Sequence, residues 1–346
     1  MRVKIEDVCD KATSNLKQSD VMNKKGLFPV FGAAGYLGKI DTFHQSKPYV
    51  AIVKDGVGIG RTMLLPAKSS VIGTMQYLLP KDNILPAYLY YVIKARHLEK
   101  YFSGATIPHI YFKDYKNEQF DLVNFEKQKQ IVHKLKVIEK IMTNLNDELK
   151  LFDELIKARF VEVFGDPIKN DKSWKQVKLM DLGLLARGIS KHRPRNAVEL
   201  LGGPYPLVQT GEVANADTYI TSYLSTYSEL GLKQSKMWPK GTLCITIAAN
   251  IAQTSILTFD ACFPDSVVGF IAGERVETVF VHYWFSFLQS SLEALATQVA
   301  QKNLNLKTLS NVEVIVPPIQ LQSEFVNFTK QVDKSKFEVQ KSLEKT

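Results

Sequence analysis

The chain has 346 residues, which is enough for two globular domains because a domain usually contains about 100 to 200 residues. Its 44 Lys and Arg outnumber 35 Asp and Glu, and the net charge of +9 favours a polyanionic partner over an acidic small substrate, although a merely basic protein has the same composition. The three cysteines lack any CxxC spacing, which excludes a disulfide framework and a zinc cage.

The first residues and the apolar runs indicate the compartment. The segment Met1–Asp7 is charged where a signal peptide needs an apolar core. The most apolar run, Leu243–Leu257, is interrupted by Thr, Asn, Gln and Ser, so it is a poor membrane span. We therefore expect a cytoplasmic protein that makes no contact with a membrane.

Residues 1–124 and 173–318 are predicted to be two copies of one domain. Short segments of the first half return in the same order in the second half, with a separation that grows as loop insertions would make it grow. The matches are Val3–Val8 with Val177–Leu182, Phe28–Val30 with Tyr205–Leu207, Ala51–Val53 with Cys244–Ile247, Ser70–Gly73 with Ser266–Gly269, and Glu126–Gln128 with Gln320–Gln322. Chance can supply one or two such matches, but an ordered series indicates a duplication.

Residues 125–164 are predicted to form one long helix, because they contain neither Gly nor Pro and Gly165-Asp166-Pro167 follows as a stop. The 36 residues from 125 to 160 would span roughly 54 Å at ~1.5 Å per residue. Apolar residues recur at alternating spacings of four and three, which is typical of a heptad seam that needs a partner helix. The seam consists of Ile131, Leu135, Ile138, Met142, Leu145, Leu149, Phe152 and Ile156.

A linker over 165–172 leads to the second domain, and a shorter distal helix is predicted over 319–346, after Pro317-Pro318. Its apolar stripe, which Lys336 interrupts, consists of Phe325, Phe328, Val332, Val339 and Leu343. The predicted fold class is α+β, with two globular domains in tandem repeat, separated by two long helices that pair as an antiparallel coiled coil. A generic dimerisation coiled coil is the alternative.

The sequence contains no recognisable catalytic or nucleotide-binding motif. The segment Gly56–Gly60 has the wrong spacing for GxGxxG and is predicted to be a turn between strands, and Gly32–Lys39 lacks the spacing and the hydroxyl of a phosphate loop. The six histidines show neither HxxxH nor HExxH spacing, and no serine stands in a GxSxG elbow. Any chemistry is therefore expected to belong to partner proteins.

The most basic turn-rich segment is Arg187–Arg195, where four Arg and Lys in nine residues fit contacts with phosphates, although a solvated loop has the same composition. Amide side chains beside strands can pair with adenine edges, and capping roles explain them equally well. The candidate DNA-contacting residues are Lys39, Lys54 and Arg61 in the first domain and Arg187, Lys191, Arg193, Arg195, Gln209, Thr210, Asn250 and Gln253 in the second.

Several stretches of the chain are similar to a known family. In the second domain they are Arg187–Pro194, Gly202–Pro206, Gln209–Val213, Trp238–Leu243 and Cys262–Gly269; Val163–Pro167 and Pro317-Pro318 flank that domain; and Phe28–Gly32 and Asp55-Gly56 lie in the more divergent first domain. With these features the chain resembles the specificity subunit of bacterial and archaeal type I restriction-modification systems over nearly its whole length.

The resemblance implies a chain that is not itself an enzyme and that binds no cofactor. It implies two copies of a DNA adenine methyltransferase subunit docked on the helices, with restriction and translocase subunits completing the complex. S-adenosylmethionine and ATP with magnesium are then cofactors of those partners.

The expected mechanism is reading of double-stranded DNA with a bipartite target. Each domain would read one half-site in the major groove while basic loops hold the phosphates, and the long helix would set the unread spacer between the half-sites. Two alternatives remain. A stand-alone restriction or methylating enzyme requires a catalytic motif, and a coiled-coil adaptor would have no affinity for DNA.

Overall fold

A computed structural model describes residues 1–22, 24–104, 108–248, 251–298 and 305–346, and the side chains of these ranges except those of 290–298. The chain divides into two compact units, Met1–Thr143 and Asn144–Thr346. The long helix predicted from the sequence is present as Phe125–Phe164, so its first half belongs to the first unit and its second half to the second.

The first unit combines short strands with one long helix. Its strands are β1 Arg2–Lys4, β2 Cys9–Thr13, β3 Phe28–Gly32, β4 Gly35–Ile40, β5 Tyr49–Val53, β6 Thr62–Leu65, β7 Ser70–Val71, β8 Met75–Pro80 and β9 Gln119–Asp121. Its helices are α1 Ile5–Val8, α2 Pro86–Lys94, α3 Phe112–Tyr115 and α4 Phe125–Phe164. The strands form an antiparallel sheet of order β2-β8-β5-β6, a sheet of order β4-β3-β7, and a two-stranded ribbon of β1 and β9.

The second unit contains the end of α4 and a second set of strands. These are β10 Gln176–Lys178, β11 Gly183–Arg187, β12 Leu201–Leu207, β13 Tyr219–Ile220, β14 Ser225–Tyr227, β15 Met237–Trp238, β16 Leu243–Thr246, β17 Thr254–Leu257, β18 Ala261–Cys262, β19 Val267–Ala272 and β20 Glu313–Ile315. Its helices are α5 Thr210–Asn215, α6 Glu229–Lys233, α7 Thr278–Gln298, α8 Leu306–Ser310 and α9 Ile319–Lys345.

The two units repeat one topology, which confirms the duplication. The second unit has a sheet of order β11-β19-β16-β17-β13, whose first four strands pair antiparallel in the same order as β2-β8-β5-β6. The parallel pair of β3 and β7 returns as the parallel pair of β12 and β18, and the ribbon of β1 and β9 returns as that of β10 and β20.

One of the predicted matches is wrong in its register. Ser70 and Val71 form β7, whereas Ser266 precedes β19 and Val267 begins it, so Ser70–Gly73 and Ser266–Gly269 occupy different places. The strand of the second unit that corresponds to β7 is β18, Ala261–Cys262, and the strand that corresponds to β8 is β19. A Ser-Val pair is too short to fix a strand register. The alternation of side chains along a strand repeats every two residues, so a match this short fits many positions.

A buried glutamine fastens α4 to the first domain. Gln128 is only 1% exposed, and its Oε1 accepts a hydrogen bond of 2.8 Å from the backbone N–H of Leu85, at the N-terminus of α2. Its Nε2 donates to the carbonyl oxygens of Val123 and Asn83, at 2.9 and 3.2 Å. One side chain thus satisfies three main-chain groups at the junction of domain and helix.

The second domain repeats this arrangement at α9. Gln322 is fully buried, and its Oε1 accepts a hydrogen bond of 2.9 Å from the N–H of Glu277, just before α7. Its Nε2 donates to the carbonyl oxygens of Pro317 and Arg275, at 2.8 and 3.1 Å. The matching segments Glu126–Gln128 and Gln320–Gln322 therefore contain glutamines that make the same main-chain hydrogen bonds in the two domains.

The end of α4 and the first half of α9 share one apolar core in the second unit. The ring of Phe325 lies 5.4 Å from that of Phe160 and 5.5 Å from that of Phe164. Further along α9, the Lys336 Nζ lies 2.7 Å from an oxygen of Asp153, which is earlier in α4. Contacts that advance along α9 thus move back along α4, as they do between antiparallel helices.

The predicted seam residues differ in burial along the helices. Ile156, Phe325 and Val332 are buried in the core of the second unit, and Phe152 and Phe328 pack against it. Ile131 packs against a core of the first unit, whereas Ile138 and Met142 are 37% and 39% exposed. Leu135, Leu145, Leu149, Val339 and Leu343 are half-buried. Coiled-coil pairing along the whole seam stays a prediction.

None of the helices in the described ranges has the length and apolar character that a membrane crossing requires.

Candidate nucleic-acid interface

Three of the predicted DNA-contacting arginines converge on one residue, Asp265. The Arg187 Nε and Nη2 donate to the Asp265 main-chain oxygen at 2.8 and 2.5 Å. The Arg195 Nη2 lies 2.5 Å from the Asp265 Oδ1, and the Arg193 Nη2 lies 3.5 Å from Oδ2. Arg187 ends β11 at the edge of its sheet, and Asp265 lies in the turn between β18 and β19, so strand pairing brings the two segments together.

The segment between the arginines is held by the turn that follows α6. The Gln234 Oε1 accepts the N–H groups of Lys191 and His192, at 2.7 and 3.1 Å. The Ser235 hydroxyl donates to the Ile189 carbonyl oxygen at 2.8 Å. The loop Arg187–Arg195, called here the arginine loop, is therefore fixed in position while its basic side chains reach solvent.

The remaining candidates of the second domain lie elsewhere. Gln209 is exposed at the N-cap of α5 and Thr210 begins that helix, which packs against β16 and β17. The N–H of Gln209 donates to a Glu212 oxygen at 3.2 Å, as in a capping arrangement. Gln253 precedes β17 and its main chain pairs with Thr246. Asn250 lies outside the described residues.

Two of the three candidates of the first domain, Lys54 and Arg61, lie in the β5–β6 turn, and the third, Lys39, lies on strand β4. The Arg61 Nη1 donates to the Ala33 carbonyl oxygen at 2.8 Å, which joins the β5–β6 turn to the β3–β4 turn. The Lys54 Nζ lies 3.3 Å from a carboxylate oxygen of Asp55, and Lys39 is exposed on β4. The structure thus brings Arg61 and the β3–β4 turn together and partly offsets the charge of Lys54.

The segment Gly56–Gly60 is a turn between β5 and β6, as predicted. Gly56, Gly58 and Gly60 have φ values of +84°, +87° and +83°, in the region that glycine adopts without strain. No helix follows, so the turn does not fit a bound nucleotide, which needs a strand, a loop and a helix N-terminus.

The buried cysteines and histidine are structural. Burial raises the pKa of the Cys9 thiol to about 12 and raises that of Cys244 as well, so neither forms a reactive thiolate near neutral pH. Burial lowers the pKa of His282 to about 4, and its Nδ1 lies 3.0 Å from the Thr254 hydroxyl. Within the described residues, no three His, Cys, Asp or Glu side chains form a group that could hold a metal ion.

Sequence patterns did not identify the residues that hold the arginine loop in place or that join α9 to α4. Asp265 and Gln234 hold the arginine loop, and Lys336 joins α9 to α4. Lys336 had a visible signal, because a charge interrupts an apolar stripe. Asp265 and Gln234 had none, since their partners lie tens of residues away in the sequence.

Comparisons with known proteins agree on one family. The sequence model of the type I restriction modification DNA specificity domain matches residues 1–151 and 171–346. A Methanocaldococcus jannaschii protein, assigned as the specificity subunit of the type I restriction enzyme MjaX, is 22% identical over 271 residues, which are 73% of this chain and 62% of that relative. The chain thus spans less than two thirds of that relative's length.

Two solved structures share the fold. The S subunit of a type I restriction-modification system from M. genitalium superposes with a TM-score of 0.65 at 16% identity, over 100% of this chain and 92% of that one. A chain from a study of complex assembly and conformational transition in a type I system gives a TM-score of 0.60 at 15% identity, over 100% and 93%. With the family model matching both copies, the chain belongs to the type I restriction-modification DNA specificity family.

Proposed function

We propose that this chain is the non-catalytic specificity subunit of a type I restriction-modification complex, in which each domain reads one half of a bipartite DNA target. The observation that carries the proposal is the repeat: one domain topology occurs twice in one chain, and the family model matches both copies. A chain with two similar reading domains suits a target with two separate half-sites.

The two half-sites should differ in sequence, because the loops at the same topological place differ. In the second unit the loop from β11 to β12 contains the arginine loop. In the first unit the loop from β2 to β3 contains lysines instead, Lys17, Lys24 and Lys25. The two domains thus present different side chains at corresponding places, and because side chains at the groove edges choose the bases, the domains should not select the same bases.

The helices are proposed to dock two DNA adenine methyltransferase subunits, to pair as an antiparallel coiled coil and to set the spacer. Exposed apolar side chains on both helices support docking, since water-facing apolar groups at helical spacing mark contact surfaces. They include Val137, Ile141, Leu151, Leu155 and Phe337, each of which is at least 44% exposed. On this proposal S-adenosylmethionine is a cofactor of the methyltransferase subunits, and ATP with magnesium is a cofactor of the restriction and translocase subunits. The complex acts in the cytoplasm.

Co-expression with a cognate methyltransferase subunit, followed by genome-wide mapping of methyladenine, tests the proposal. We expect a bipartite motif with two unlike halves and a fixed spacer. The methyltransferase expressed alone is the control and should give no such motif.

Other outcomes identify the alternatives. Methylation by this chain alone would show a stand-alone enzyme. A methyltransferase whose methylation pattern is unchanged by the chain would leave the adaptor interpretation and overturn the proposal.

A further inference from the structure

The arginine loop holds a carboxylate at the centre of its positive charge. Arg193 and Arg195 form ion pairs with the Asp265 side chain, and Arg187 donates to its main-chain oxygen. Three guanidinium groups against one carboxylate leave a local charge of +2. Each guanidinium has five N–H donors, far more than one carboxylate can accept, so donors remain for a further anion.

The cluster is accessible from solvent. The side chains of Arg193 and Arg195 are 56% and 46% exposed, whereas that of Asp265 is 31% exposed. The Arg193 Nη1 also donates to the main-chain oxygens of Ser190 and His192, at 2.6 and 2.8 Å. The guanidinium groups are therefore oriented before any ligand arrives, and the side chains of Arg193 and Arg195 remain open to solvent.

We propose that Asp265 is a specificity-determining residue, whose carboxylate holds the arginines in position and competes with a DNA phosphate for them. This inference rests on the proposed function and adds a role for a residue that has none there. The carboxylate and a phosphodiester present similar oxygen pairs to a guanidinium, so the two anions compete for the same N–H donors.

The competition acts unequally on the two kinds of DNA complex. Non-specific binding depends almost entirely on phosphate contacts, so the nearby negative charge weakens it in full. Binding at the target also needs arginines in fixed positions, because phosphate contacts set the register from which bases are read. Asp265 supplies that order, and it therefore widens the gap between target and non-target affinity.

The test compares Asp265→Asn with Glu274→Gln in the full chain. Both changes remove one negative charge from the same unit, and Glu274 is exposed outside the arginine loop. In the complex with methyltransferase, Asp265→Asn should bind a scrambled 40-base-pair duplex about threefold more tightly, with a salt slope steeper by up to about 1. Affinity for the target duplex should stay equal or fall, so the specificity ratio decreases. Glu274→Gln should change neither.

Elution from phosphocellulose separates this inference from the proposed function, because it requires no DNA reading. Purified Asp265→Asn should elute at higher salt than Glu274→Gln, although their net charges are equal, and Asp265→Glu should elute like the unchanged chain. Equal elution of the first two variants overturns the inference. If the complex binds no DNA but elution differs as expected, the proposed function fails and the phosphate site stands.

A reciprocal variant covers the case in which Asp265→Asn does not fold. Arg195→Gln should elute earlier than Lys240→Gln, which removes an equal charge from an exposed position of the same domain. Weaker binding of Asp265→Asn to both duplexes would show that Asp265 only shapes the loop. Equal elution of Arg195→Gln and Lys240→Gln would show the same.

Discussion

Gln128 and Gln322 serve the same purpose in the two copies, since each joins a domain to the long helix that follows it. The oxygen of each amide accepts a main-chain N–H before a domain helix, and the nitrogen donates to two main-chain carbonyls. An amide is suited to this place because it carries both donor and acceptor on one planar group. A glutamate would lack the donors, and a leucine would lack both.

We expect Gln322→Ala to destabilise the second unit by about 1 to 3 kcal/mol, because a buried N–H and two carbonyls lose their partner. Gln128→Ala should have a similar effect on the first unit. Urea unfolding followed by circular dichroism measures both. The exposed neighbours provide controls, as Gln320→Ala and Gln130→Ala should change little. Equal losses for Gln320→Ala and Gln322→Ala would contradict this role.

At the scale of elements, Lys336 joins three segments of the second unit. Its Nζ contacts Asp153 of α4 and Asp217 of the segment between α5 and β13, and its side chain is 7% exposed. Burial alone would lower the pKa of Lys336, but its hydrogen bonds to the two carboxylates outweigh burial and raise it. The lysine that interrupts the apolar stripe of α9 thus forms ion pairs that connect α9 with α4 and with the second domain.

Lys336→Met and Lys336→Ala should separate packing from charge. Asp153 and Asp217 are 52% and 61% exposed, so they regain water when the amine is lost, and methionine keeps the apolar stem. We expect Met to change unfolding free energy by less than about 1 kcal/mol and Ala to lower it by about 2 kcal/mol.

Hydrogen exchange should detect the loss of the Lys336 ion pairs in both variants. Protection at Tyr219 and Ile220 should fall in Lys336→Met as well as in Lys336→Ala, while the exposed control Lys334→Met leaves it unchanged. Unchanged protection in Lys336→Met would mean that the ion pairs do not hold this segment.

The elements also show how far sequence reasoning reaches. The bounds of α4 follow from local signals, an unbroken run without Gly or Pro and then Gly165-Asp166-Pro167. The duplication follows from matching order. The misplaced Ser70–Gly73 match shows the limit, since strand register depends on pairing partners. The contacts of Lys336 with Asp153 and Asp217 join residues 183 and 119 positions apart, and no local pattern predicts such pairs.

For the whole molecule, the proposed spacing role of α4 gives a direct test. Seven residues inserted between Thr143 and Asn146 add two helical turns, about 10.5 Å, and nearly preserve the helix face. We expect the unread spacer to lengthen by about three base pairs, at ~3.4 Å each, with both half-sites unchanged. Methyladenine mapping measures both quantities. A length-neutral replacement of the same stretch is the control, and changed half-sites with a constant spacer would refute the idea.

The two-stranded ribbons have a further consequence for the evolution of this chain. Arg2–Lys4 pairs with Gln119–Asp121, and Gln176–Lys178 pairs with Glu313–Ile315, so each domain begins and ends side by side. A sequence that replaces the segment between the two strands of a ribbon would leave the following helix in place if its ends pair in the same way and if it supplies the main-chain groups that Gln128 or Gln322 binds. If each domain reads one half-site, as proposed, genetic recombination inside the ribbon strands would exchange a half-target together with its domain.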